Sequence, residues 1–117
     1  MKLSMIELEE IAKYAVLDIG EVDERGLCLG RCNEISKEII RRLVEQDFTY
    51  PDDVDIITPL LLEAGGYASG LHKAVILPKQ RLIIDTQLWQ IGKKRTNLNS
   101  RKVIFSFKEY EDRGLKL

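Results

Sequence analysis

At 117 residues, with 44% apolar and 32% charged side chains, the chain has the size and composition of one water-soluble domain spanning 1–117, which excludes two separate cores of ordinary size. Its 18 basic and 19 acidic side chains leave a formal charge of -1, so no overall electrostatic pull toward nucleic acid or an anionic membrane is expected. Two cysteines are too few for the disulfide framework of a small secreted domain.

The opening segment MKLSMIELEEIAKYAVLDIG carries acidic residues inside its apolar stretch, unlike a signal peptide, and no window is long enough to span a bilayer. A cytoplasmic product, as synthesised, is expected; export by a dedicated secretion machine would leave no trace here. Within that segment the spacing of Ile6, Ile11, Tyr14 and Ala15 predicts a helix from about Met5 to Leu17, and Ser4 with Glu7 predicts a capping box at its start. A glycine-broken loop through Gly20, Gly26 and Gly30 leads to a second helix over about Cys32–Gln46. One face of it holds Cys32, Ile35, Ser36, Ile39, Ile40, Leu43 and Val44; Asn33, Glu34, Lys37, Glu38, Arg41, Arg42 and Glu45 hold the other.

After TYPDD the composition turns strand-like in VDIITPLLLE, LHKAVIL, RLIID and KVIFSF. Helices followed by strands predict an α+β domain in which an antiparallel sheet packs on the second helix. Pro59 has no N–H for a ladder, which places it on an edge strand or at a bulge. The glycine-rich EAGGYASG reads as a loop ending just before His72, and the basic KKRTNLNSRK, diluted with Asn and Ser, as a solvated loop more than a polyanion contact.

Chemistry is concentrated in few residues. A thiol at a helix start is acidified by the helix dipole and by free backbone amides, and Cys32 holds such a place; a helix beginning sooner would give it to Cys28. Free cysteine is also among the most buried residue types, so core filling is the competing role. A cysteine nucleophile needs a base and a group to orient it. The single histidine, His72, opens one apolar strand, and Asp85 closes the next after the turn PKQR.

These residues resemble a known superfamily. GRCNEIS is similar to the Gly-x-Cys-x-x-apolar-Ser/Ala signature at the head of the central helix in papain-like and transglutaminase-like cysteine enzymes, and LHKAVIL with LIIDTQ resembles their His-strand followed by an Asp-strand. Aspartate in third place resembles the transglutaminase-like branch and bacterial effector or toxin peptidases. The resemblance covers about residues 26–90. It implies a papain-like core with a central Cys-bearing helix, Cys32 as nucleophile, His72 as base and later acid, and Asp85 as orienting group. It also implies a protein or peptide substrate and neither a cofactor nor a metal. Tyr67 and Trp89, which flank the histidine and aspartate in sequence, are candidates for a shallow aromatic wall at the substrate. The upstream glutamine of papain-type enzymes is missing, since the first glutamine is Gln46. One oxyanion donor is then the Cys32 amide, with Asn33 or a loop amide as candidate second.

Two other classes compete. Cys28, Cys32 and His72 supply three metal ligands and lack a fourth unless a carboxylate completes the set. A binding or inhibitor protein would keep the same core without using the sulfur, and a transglutaminase- or deamidase-type acyl transfer would differ only in the acceptor. Geometry offers a test: a tight turn within Leu77–Gln80 pairs Val75 with Leu82 and Ala74 with Ile83. That register sets His72 directly opposite Asp85 and brings the Cys32 sulfur within about 4 Å of the imidazole.

Overall fold

A computed structural model describes residues 3–21, 31–61, 72–88 and 96–117. Helix α1 (Met5–Ile19) starts where Ser4 and Glu7 dictate. The Glu7 N–H donates to Ser4 Oγ at 3.1 Å and the Ser4 N–H to Glu7 Oε1 at 2.9 Å, closing the capping box. Gly20 ends the helix: its φ of 88° turns the chain away while its N–H still reaches the Val16 carbonyl at 2.8 Å. The buried face differs from the expected one. Ala15 is buried and Ile11 half-buried as expected, but Ile6 and Tyr14 are 70% and 59% exposed, and Leu8, Ala12 and Val16 face the core in their place. Alanines on that face let α1 lie close against its neighbour α2 (Arg31–Glu45), which larger side chains would hold off.

The apolar face of α2 follows its sequence pattern through Cys32, Ile35, Ser36, Ile39 and Leu43, all buried; Ile40 is half-buried and Val44 lies at the exposed rim. Its first and last turns fasten it to α1. Arg31 donates from Nη1 to the Ile19 carbonyl at 3.3 Å, satisfying a helix-end acceptor, and Arg42 pairs with Asp18.

The run VDIITPLLLE becomes two short strands, β1 (Asp55–Ile57) and β2 (Leu60–Leu61), with Pro59 in the break between them, where its missing N–H costs no ladder bond. Strands β3 (Ala74–Leu77), β4 (Leu82–Ile84) and β5 (Ile104–Ser106) join β1 in a four-stranded antiparallel sheet of order β1-β3-β4-β5. The expected strand KVIFSF is cut short at Ser106, which caps a third helix, α3 (Phe107–Glu111), through a second capping box with Glu109. Strand β6 (Leu115–Lys116) then pairs with β2. The fold is therefore α+β, with three α-helices and a four-stranded antiparallel sheet among the described residues.

Both faces of that sheet are covered. Val75, Leu77, Ile84 and Ile104 pack with the buried faces of α1 and α2, whereas Ala74, Ile83 and Phe105 pack with Tyr110 of α3 and with Leu115. Strands buried on both sides read as continuous apolar runs, which explains AVIL and LII. The β3–β4 register is Leu77 with Leu82, Ile76 with Ile83 and Val75 with Ile84, displaced by two residues from the expected pairing. Its cause is the turn, which occupies Pro78–Arg81: Arg81 takes a left-handed φ of 56° and its side chain lies over the Phe107 ring at 4.8 Å. No helix among the described residues is long and apolar enough to cross a membrane.

Candidate active site

Three elements converge at one end of the sheet. Cys32 is the second residue of α2, His72 stands two residues ahead of β3, and Asp85 is the first residue past β4. All three are buried, at 3%, 3% and 1% exposure. Cys32 is enclosed because its sulfur lies on the same face of α2 as Ile35 and Ile39 and meets His72 there.

Asp85 is the most constrained of the three. Its own N–H donates to the Val103 carbonyl at 2.9 Å, which ties it to the segment entering β5. Its carboxylate accepts three hydrogen bonds: from His72 Nε2 to Oδ2 at 2.7 Å, from the Tyr110 hydroxyl to the same Oδ2 at 2.6 Å, and from the Gln87 N–H to Oδ1 at 3.1 Å. A buried carboxylate supplied in this way has its acceptor oxygens satisfied and its rotamer fixed. It fixes the histidine in turn: with Nε2 on Asp85, Nδ1 is the nitrogen left for the sulfur.

The electrostatics of the two partners agree. Burial opposes charge on His72, yet the Asp85 carboxylate and the Cys32 sulfur outweigh it and raise the imidazole from 6.5 to about 9. On Cys32, burial favours the thiol, yet hydrogen bonds from the His72 side chain and the Lys73 backbone N–H, with the charge of the imidazole, bring it below its ordinary value. Both shifts favour a thiolate–imidazolium pair. Tyr110, buried beside an anion, is pushed well above the usual phenol range and stays a donor.

A second buried layer stands behind Asp85. Gln87 Nε2 donates to Glu21 Oε1 at 3.0 Å and to the Thr86 carbonyl at 3.1 Å; Glu21 is ion-paired with Arg101, whose Nη1 also donates to the Thr86 carbonyl at 2.8 Å. The turn after β4 is therefore held from the end of α1 and from the approach to β5. None of Glu21, Gln87, Arg101 or Tyr110 stood out in the sequence as a site residue, since the contacts that join Tyr110 to Asp85 and Glu21 to Gln87 and Arg101 span 25 to 80 residues.

Asn33 follows Cys32 on α2, half-buried, and no hydrogen bond ties it to the three convergent side chains among the described residues. Tyr67, Trp89 and Cys28 lie outside the described residues. No group of three His, Cys, Asp or Glu side chains suited to a metal ion occurs among the described residues. No family model matches the chain, and neither a curated protein nor a solved structure matches it.

Proposed function

We propose that the chain is a small cysteine hydrolase of papain-like or transglutaminase-like type, cleaving an amide bond of a protein or peptide through a thioester on Cys32. The observation that carries this is the single histidine held between two partners of opposite use, a carboxylate at 2.7 Å on Nε2 and a thiol on its other side. A carboxylate on one ring nitrogen and a thiol at the other suit an imidazole that holds a proton which a nearby sulfur has given up.

The steps follow from that proton. The Cys32 thiolate attacks the carbonyl carbon, forming the C–S bond and moving an electron pair onto oxygen, where the Cys32 N–H in the first turn of α2 serves as a donor. Collapse expels the amine, which leaves with the proton from the His72 imidazolium. The neutral imidazole then takes a proton from water as its oxygen attacks the thioester. Collapse of that adduct releases the acid and restores thiolate and imidazolium. An amine in place of water would give acyl transfer, and a side-chain carboxamide as substrate would give deamidation, through the same intermediate.

One observation favours a second role. At 3% exposure the sulfur is enclosed enough to be core, as in a binding or inhibitor protein that retains the three residues for stability. Alkylation separates the two. In a Cys28→Ser background, where Cys32 is the sole thiol, iodoacetamide should modify it at pH 6 at a rate within about tenfold of that at pH 8, and His72→Ala should slow the pH 6 reaction at least about tenfold. A rate that follows an ordinary thiol, with its midpoint at about 8.5 and no response to His72→Ala, would remove the hydrolase and leave the binding protein.

A further inference from the structure

We propose that Tyr110 is a positioning residue that acts on His72 through Asp85, its hydroxyl drawing charge from the carboxylate oxygen that the imidazole binds. The role rests on the hydrolase assignment of Cys32, His72 and Asp85, and the geometry reaches beyond it. Tyr110 and His72 converge on one atom, Oδ2, at 2.6 and 2.7 Å, while among the described residues Oδ1 receives the weaker Gln87 contact at 3.1 Å. Placement of the phenol leaves it little freedom. Tyr110 is 0% exposed, its ring packs tilted against Phe105 at 5.8 Å, and α3 is anchored by the Ser106–Glu109 capping box just ahead of it.

The need for such a group comes from the two halves of the reaction. Acylation uses the imidazolium paired with thiolate, and deacylation uses neutral imidazole as a base toward water. A desolvated carboxylate on Nε2 serves the first half and works against the second, because it holds the proton too firmly. A phenol on the same oxygen spreads that negative charge and weakens the grip, and a phenol in this site can only donate. The charged or titratable groups facing the imidazole among the described residues are Cys32 from α2, Asp85 after β4 and, through Asp85, Tyr110 from α3; Glu21 and Arg101 stand one residue further away, behind Gln87.

Because the chain has one histidine, the test has a direct reading. Tyr110→Phe keeps the ring and removes the hydroxyl. The imidazole signals of wild type and Tyr110→Phe are titrated by NMR in a Cys32→Ser background without substrate, with thermal unfolding run alongside. The His72 midpoint is expected to move upward by about half a unit or more in Tyr110→Phe, with the fold retained. In the Cys32 enzyme, the pH at which deacylation reaches half its maximum should rise by the same interval. An unchanged midpoint with only a lower Tm would make Tyr110 core filling, and a downward shift would show that it supports the charge on Nε2 instead of tempering it; either overturns the proposal. A loss of fold in Tyr110→Phe is covered by Ser106→Ala, which loosens α3 and should move the midpoint the same way; no movement there overturns it too. Failure of the hydrolase assignment is read separately, from Cys32 alkylation with and without His72, which the NMR shift does not depend on.

Discussion

His72 and Asp85 are diagonal neighbours across the β3–β4 hairpin, not directly opposed, and they still close a 2.7 Å hydrogen bond. With Val75 paired to Ile84, the register carried one step further sets Asp85 opposite Ala74, two residues past His72. A shift of two preserves the face on which each side chain projects, whereas a shift of one would reverse it. The same parity puts Ala74, Ile83 and Phe105 on the Tyr110 side of the sheet, so the carboxylate is delivered to the phenol as well as to the imidazole. A diagonal pair stands ~7–8 Å apart at Cα level, a gap that an imidazole and a carboxylate extending toward each other span.

Asp85→Asn tests whether the charge or only the shape of that side chain matters. The amide is nearly isosteric and keeps an oxygen for one donor, but it no longer stabilises an imidazolium. Cys32 alkylation at pH 6 is expected to fall toward the His72→Ala rate, and turnover on any amide substrate should drop by roughly 100-fold or more. Wild-type alkylation in Asp85→Asn would mean that Asp85 serves the hairpin and not the histidine.

Burial of Cys32 sharpens the comparison of stability with activity. Ile39→Ala deletes a branched side chain from the α2 core and should cost ~2–5 kcal/mol in urea unfolding. Cys32→Ala deletes one sulfur atom and should cost about 1 kcal/mol while abolishing turnover. Equal costs with activity retained would identify the sulfur as packing.

The features legible in the sequence were those encoded by near neighbours. Ser4 with Glu7 marked the start of α1, the i, i+3, i+4 spacing from Cys32 to Leu43 marked the buried face of α2, and the single histidine and Asp85 stood at the ends of recognisable strands. Misreadings have equally local causes. On α1, hydrophobicity ranked Ile6 and Tyr14 above Ala12, but close approach to α2 selects small side chains, and no single-helix pattern expresses what the other helix requires. The α3 helix was hidden because its five residues follow directly on an apolar strand, although Ser106-x-x-Glu109 repeats the signal read at Ser4. Tyr110, Glu21 and Arg101 reach Asp85 and its turn only through tertiary structure, so their roles had no sequence signature; Gln87 meets Asp85 locally, two residues on, and only its contact with Glu21 is tertiary.

Glu21 and Arg101 offer a double-mutant cycle. Both are buried, at 7% and 8% exposure, so Arg101→Met removes the guanidinium from a buried ion pair and is expected to cost ~3–5 kcal/mol. Glu21→Gln combined with Arg101→Met removes both charges of the pair and should recover part of that loss, giving a coupling outside the ~0.3–0.5 kcal/mol scatter of independent sites. Additive losses would show that the two side chains do not support the Thr86–Gln87 turn jointly.

The proton held by His72 should also appear in the stability of the fold, with a sign that can be worked out. In the unfolded chain the imidazole releases its proton near 6.5, and in the folded chain near 9, so the folded state binds the extra proton between those values. Stability from this group is fully present below 6.5 and is lost as the pH rises through the folded value. Cys32 works in the opposite direction: its folded value is depressed, so its contribution is present at high pH and is lost as pH falls through the folded value. In the wild type the two trends oppose each other and flatten the profile. Cys32→Ser removes the rising contribution and leaves the falling one, over a window that opens at 6.5 and closes at or below 9, since the sulfur's own support of the imidazolium is gone as well. Urea unfolding of Cys32→Ser should therefore show stability declining across that window, with a slope of at most about 1.4 kcal/mol per pH unit for one proton. Adding Asp85→Asn to Cys32→Ser should abolish the decline, because the carboxylate is the remaining group that holds the proton on Nε2. A decline that survives in the double variant, or a rise in Cys32→Ser alone, would mean that His72 does not carry the proton that the thiolate mechanism requires.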